Sequence, residues 1–469
     1  MPAKKRQKST TDPRRNKTLL IKNALLVATM DDQRRRLPNT DIYIEGPRIK
    51  QVGSRLKVTA DRVLDARDCV VIPGMVNTHH HLYQTLTRNV PAVQSAELFD
   101  WLIHLYQIWR NITPEGVYVS AQVGLGELLL TGCTTSSDHF YLFPKGQPGD
   151  LIDREIRAAR EVGMRFHPGR GSMSLGKSKG GLPPDDVVQK EDVILKDCER
   201  LVSRYHDAER FSMCQINLAP CSPFSVTAEL LKESAGMARR LKLKAHTHLA
   251  ETMDEERFCL ERFGKRPLDY MASVDWIGRP FWYAHAVHLN DEEIKKMAET
   301  KTGAAHCPTS NLRLGSGIAP YPKMRDAGVP VGLGVDGSAS NDSSDMLAEA
   351  RMCLLVHRIR SGVKSTTTDS VLWTATRGGA EVLGRDDIGS IEPGKAADIA
   401  LFDLNRLDYA GAWHDPLAAI LFAGAGHRAR WVLVNGEIVV DGGRLTRVDE
   451  ESLTRRANKI SRDLVNAAC

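Results

Sequence analysis

Apolar and polar residues alternate near both ends of the chain and recur at helical spacing through its middle. Thr18–Ala28, Asp41–Glu45 and Arg48–Val52 alternate with a period of two and are separated by Gly46-Pro47 and Gly53-Ser54, so they predict the short strands of a small β unit. The same texture returns in Asp398–Asp403, Trp431–Val434 and Glu437–Val440, closed by Asp441-Gly442-Gly443. Between these ends, β-rich runs alternate with segments of helical periodicity such as Val117–Leu130 and Leu151–Val162. The runs are Cys69–Asn77, Thr134–Asp138, Arg165–Gly169, Gln215–Ala219, Leu241–His248, Trp282–Val287, Gly303–Cys307 and Val329–Asp336. Eight β/α repeats are what a closed barrel requires. The pattern therefore predicts an α/β fold: a distorted (β/α)8 TIM barrel over residues 70–387, inserted into a small β-sandwich domain built from residues 18–69 and 388–447. A basic tail over 1–17 and a C-terminal helix over 448–469 complete the organisation.

Composition narrows the class. Hydrophobic residues make up 42% and charged residues 26% of 469 positions, which excludes an intrinsically disordered chain and allows a large core. The net charge of +6 is carried wholly by Lys4, Lys5, Arg6, Lys8, Arg14, Arg15 and Lys17 against Asp12, in a segment with almost nothing apolar to pack. That segment reads as a solvated tail. It has no aromatic residue on which a base could stack, so nucleic acid is not the expected partner. No apolar run of about 18 residues occurs and no apolar leader core follows the basic residues, which predicts no membrane partner and a cytoplasmic location. Nine cysteines without a Cys-x-x-Cys pair predict reduced thiols and no structural zinc knuckle.

The chemistry gathers at the C-terminal ends of the predicted barrel strands, the face where such barrels place their active sites. In Asn77-Thr78-His79-His80-His81, alternation puts His79 and His81 on one side and His80 on the other, so one strand end can offer two imidazoles to one metal. The fifth run ends His246-Thr247-His248-Leu249-Ala250-Glu251, adding His248 as a third nitrogen ligand and Glu251 as a proton carrier at the same mouth. Single ionisable groups, His285 and Asp336, close the sixth and eighth runs amid apolar residues and glycines. Taken singly, each is equally readable as a satisfied core histidine or a helix-capping aspartate. Beyond the strand ends, the Gln84 amide offers a donor and an acceptor suited to a heterocycle edge, and Cys221 and Arg313 stand nearby as further substrate contacts. Arg313 reads equally as the partner of a ring oxygen or of an acidic neighbour.

From Thr18 to about Arg447 the chain resembles the amidohydrolase superfamily, in its branch of metal-dependent deaminases and s-triazine hydrolases. The resemblance rests on residues 77–84, on Ala219-Pro220-Cys221-Ser222-Pro223-Phe224-Ser225, on His306-Cys307-Pro308-Thr309-Ser310-Asn311 and on residues 334–342. It implies that His79, His81, His248 and Asp336 bind one divalent metal ion, zinc or iron, while Glu251, His285 and Asp336 handle protons. Many relatives bridge two metals with a lysine at the end of strand four. Here that end reads Asn217-Leu218-Ala219-Pro220-Cys221, so a mononuclear site is expected. The implied reaction is hydrolytic deamination of a small heterocycle, foremost the oxidised purine 8-oxoguanine to urate plus ammonia. The alternatives are a pterin such as isoxanthopterin, a guanine-like ring or an s-triazine, and, from another class, a catalytically silent binding barrel. The resemblance also implies a homo-oligomer.

Overall fold

The computed structural model describes residues 18–423, 426 and 428–468, so the basic tail lies outside the described residues. In chain order its strands are β1 (Thr18–Ala28), β2 (Arg36–Glu45), β3 (Arg48–Gly53), β4 (Arg62–Asp65), β5 (Cys69–Pro73), β6 (Met75–Asn77), β7 (Cys133–Ser137), β8 (Arg165–His167), β9 (Gly169–Ser172), β10 (Asn217–Pro220), β11 (Lys244–Leu249), β12 (Phe281–His285), β13 (Gly303–His306) and β14 (Val331–Leu333). They are followed by β15 (Ile399–Asp403), β16 (Trp431–Val434), β17 (Glu437–Asp441) and β18 (Arg444–Leu445).

Nine parallel strands, in the order β8-β7-β6-β14-β13-β12-β11-β10-β9, form a nearly closed barrel. The ninth strand arises because the predicted run Arg165–Gly169 divides at Pro168, which has no N–H to give to a ladder. Its first half pairs with β7 and its second with β10. The run Cys69–Asn77 divides as well, at Gly74. Its first part, β5, belongs to the small sheet and pairs with β1 and β15, whereas β6 enters the barrel between β7 and β14. A Cβ at Gly74 would lie 2.1 Å from the Thr134 hydroxyl, so the crossing between sheets sits where only glycine fits.

The strands predicted from both chain ends form one mixed sheet, β18-β17-β16-β15-β5-β1-β2-β3, with β4 parallel to β1. Some of its buried side chains, among them Ile21, Val27, Ile42, Ile399 and Leu433, make a core of their own, whereas others, such as Val70, Ile72, Ala400 and Val432, join the core of the barrel. Three parts of it were not predicted. β4 is only four residues long, β18 only two, and the first half of β2 contains Pro38 and lacks alternation, its pairing being set by register with Leu26–Ala28. The helix Glu450–Asn466 packs on the helix Pro114–Leu130 beside the barrel. Among the described residues, no helix is long and apolar enough to cross a membrane.

A buried ion pair ties the barrel to the small sheet. The Arg165 guanidinium on β8 donates to both Asp398 carboxylate oxygens, at 3.0 and 2.9 Å, with side-chain exposures of 0% and 1%. Removing one partner strands a buried charge, so Asp398→Ala is expected to lower the unfolding free energy by about 3–5 kcal/mol. Urea titration checks this, and a loss of under about 1 kcal/mol, the range of exposed pairs, would count against it.

Candidate active site

The mouth of the barrel is built by backbone turns as much as by side chains. Ala250, His285, Ala286 and Asp336 all adopt left-handed φ values, between 50° and 73°, at strand ends. Such conformations are costly for residues with a Cβ and persist only where the surroundings impose them. Here Asp336 N–H donates to the His79 carbonyl, Ala286 N–H to the Leu249 carbonyl, and Gly337 N–H to Asp336 Oδ1. The turn at 250–251 is clamped by Glu255, whose two carboxylate oxygens accept the N–H groups of Ala250 and Glu251 at 3.0 Å each.

These turns bring together His79, His81, His248, Glu251, His285 and Asp336, all buried. His80 points away and pairs with the Ser344 hydroxyl at 3.0 Å. The Nδ1 of His81 donates to the His139 carbonyl (2.8 Å) and the Nδ1 of His248 to the Cys221 carbonyl (2.6 Å). A carbonyl only accepts, so both ring protons sit on Nδ1 and both Nε2 atoms present lone pairs. Those two Nε2 atoms face each other at 3.0 Å. Both nitrogens of His79 are buried without a partner among the described residues, and Asp336 Oδ1 lies 3.4 Å from His79 Nε2 and 3.3 Å from His81 Nε2. The ligand nitrogens of His79, His81 and His248 thus gather within 4.8 Å of one another, with Asp336 beside two of them, a set that could hold a divalent transition metal.

Beside that set stand His285 and Glu251, with Asp336 shared between the two groups. His285 donates from Nδ1 to Asn311 Oδ1 at 2.8 Å, while its Nε2 faces Glu251 Oε2 at 3.4 Å and Asp336 Oδ2 at 3.9 Å. Burial works against a charged His285, but the two carboxylates outweigh it and raise its pKa. Burial pushes Glu251 up to about 7, with His285 opposing and Asp336 adding to the shift. Burial also opposes ionisation of Asp336, yet His79 and His285 beside it hold its carboxyl well below the usual range. The Ser310 hydroxyl donates to Asp336 Oδ2 at 2.6 Å and strengthens that preference. One carboxyl that keeps its proton near neutrality thus stands across an imidazole from one that does not, a separation suited to acid–base work.

Both groups open into a cavity lined also by Gln84, Trp101, Cys221 and Phe224. The Gln84 amide oxygen is buried there without a partner among the described residues. Burial pushes the Cys221 thiol up to about 12, leaving it a neutral wall. Arg313 is not brought to the cavity. As the last residue of the helix Pro308–Arg313 it turns outward, its guanidinium held by Asp342 at 3.2 Å and by the Gln94 carbonyl at 2.7 Å. His139 was not singled out from the sequence, although its Nε2 donates to the Ala219 carbonyl at 2.6 Å and its ring stacks on His248. Its position just past β7, at a strand end like the others, is the signal that could have found it.

The amidohydrolase family profile matches residues 70–439. The 8-oxoguanine deaminase of Pseudomonas aeruginosa is 51% identical over 392 residues, covering 84% of this chain and 87% of its own. An isoxanthopterin deaminase from an unknown prokaryotic organism is 36% identical, covering 95% and 97%. Among solved structures, an atrazine chlorohydrolase from Arthrobacter aurescens TC1 complexed with zinc superposes with a TM-score of 0.91 at 36% identity, covering 94% of this chain and all of the other. With the barrel, the donor set and these matches in agreement, the chain belongs to the amidohydrolase family and is a hydrolase.

Proposed function

We propose that this protein is a metal-dependent aminohydrolase that converts 8-oxoguanine to urate and ammonia. The observation that carries the reading is Glu251, a carboxyl poised to hold a proton near neutral pH beside His285 in the cavity at the barrel mouth. Amine release needs such a proton, whereas halide release does not. The choice of ring is supported by the 51% identity to 8-oxoguanine deaminase.

His79, His81, His248 and Asp336 would hold one divalent ion, zinc in the first instance. When bound, such an ion supplies Lewis acidity and lowers the pKa of the water it carries. The protein's own groups do the rest. Asp336, ionised and fixed by Ser310, takes a proton from the attacking water as its oxygen adds to the carbon bearing the exocyclic amine. Glu251 gives its proton to the adjacent ring nitrogen, so that charge does not build up on the ring. His285, held by Asn311, orients the water between the two carboxylates. The C–N bond then breaks as the amine takes the proton that Asp336 collected, the new hydroxyl returns a proton to Glu251 as it becomes the carbonyl, and ammonia leaves.

Gln84 would read the purine edge through its unpartnered amide oxygen. A Cβ added at Gly337 would fall 1.9 Å from that oxygen and displace it. Gly337→Ala is therefore expected to lower kcat/KM about 3- to 10-fold, the worth of one hydrogen bond, with metal content unchanged. An unaltered kcat/KM would remove Gln84 from the recognition scheme. The reading as a whole is tested by ammonia release from zinc-loaded protein given 8-oxoguanine, guanine, isoxanthopterin, and amino- and chloro-s-triazines. Turnover of 8-oxoguanine above the others is expected. Turnover of another ring alone would replace the substrate, and silence on every ring would overturn the aminohydrolase reading.

A further inference from the structure

Behind the active site, on the outer side of β13, a second group of potential ligands is fully buried. His306 ends β13, and Cys353 and His357 lie one turn apart on the helix Met346–Ser361, so an i, i+4 pair faces a strand-end imidazole. The Nε2 atoms of His306 and His357 are 2.9 Å apart, and one ligand atom from each of the three residues lies within 4.8 Å of the others. The Tyr321 ring covers the group, parallel to His306 within 12° at 5.5 Å and tilted over His357 at 5.0 Å. Without a cation, the close nitrogen pair holds a single proton, and the Nδ1 atoms of both rings lack a partner among the described residues. None of the three residues lines the catalytic cavity.

We propose that His306, Cys353 and His357 form a second metal site, with two imidazole nitrogens and one thiolate sulfur as donors, that takes a zinc-class transition ion and fastens the helix Met346–Ser361 to β13. Zn–N and Zn–S bonds of about 2.0–2.1 and 2.3 Å set neighbouring ligand atoms roughly 3–4 Å apart, within small side-chain adjustments of the spacing here. A sulfur donor also selects against magnesium and calcium, which take oxygen ligands. This site goes beyond the proposed catalytic ion, whose donor set contains no sulfur, and that difference makes the two distinguishable.

The test uses full-length protein produced in cobalt-supplemented medium and freed of loose metal by gel filtration. Two cobalt ions per chain are expected, together with a near-ultraviolet thiolate-to-cobalt charge-transfer band. Cys353→Ser should abolish the band and leave one ion. A band that survives Cys353→Ser, as it would if Cys221 supplied the thiolate, overturns the proposal. Should Cys353→Ser fail to fold, the wild-type protein decides alone: two ions with the band support the site, and the absence of the band overturns it at any metal count.

Discussion

Glu251→Gln is expected to lower kcat by about 100- to 10,000-fold, the usual worth of a positioned general acid–base group, while the protein keeps its metal and its fold. Glutamine matches the shape of the side chain and can still accept from Ser316, which stands 3.5 Å from Glu251 Oε1, but it carries no transferable proton. Glu251 is not among the four groups converging on the metal position, so metal analysis should give the same content as wild type. The Glu255 clamp contacts only the backbone N–H groups of the turn, so the mutant side chain should sit where Glu251 sits now. The diagnostic pattern is a large fall in kcat with a small change in KM, because a proton transfer belongs to the transition state and not to ground-state binding. Near-wild-type turnover would show that the ring nitrogen receives its proton elsewhere, with His285 the next group to test.

Much of this arrangement is readable from periodicity. A period of two at the chain ends and β/α alternation between them lead to a barrel and a small β unit. Once a barrel is assumed, the ends of its strands become the places to look for chemistry. That reasoning reaches His79, His81, His248, Glu251, His285 and Asp336, six residues spread over more than half the chain, and the structure gathers them at one mouth. It stops where the determinant is non-local. Asn311, which orients His285, is 26 residues away from it in sequence, and only the closed barrel makes them neighbours. Glu255 lies in the first turn of a helix, where an acid is ordinary, and nothing in the sequence marks that its carboxylate reaches back to two backbone amides. The direction of Arg313 was equally open, and it was settled by Asp342 and the Gln94 carbonyl. The divided strands have local causes visible in hindsight, Pro168 and Gly74, but a glycine or proline inside an apolar run signals a break without saying which sheet the chain joins next.

Removal of the catalytic ion should abolish turnover and loosen the barrel mouth together, because one set of atoms underlies both effects. With their ring protons committed to the carbonyls of His139 and Cys221, the facing lone pairs of His81 and His248 must be accommodated in the metal-free protein. One ring can give up its Nδ1 bond, or both can move apart. Either response disturbs β11 and the turn that carries Glu251. Chelation is therefore expected to lower activity by about 1,000-fold or more, corresponding to several kcal/mol of lost transition-state stabilisation, and zinc should restore it whereas magnesium should not. The ion also binds only the folded state, which adds about 4 kcal/mol of stability at a thousand-fold excess over its Kd, so the apo protein should melt at a lower temperature. His81→Ala separates the catalytic ion from any other bound metal. It removes one of the two facing lone pairs, and it should cost one equivalent of metal and the activity while the repulsion that destabilises the apo mouth is relieved. The mutant's melting temperature should consequently change less on chelation than that of the wild type. A chelated wild-type protein that stays fully active, or a His81→Ala protein that binds metal as before, would mean that these imidazoles are held together by packing alone.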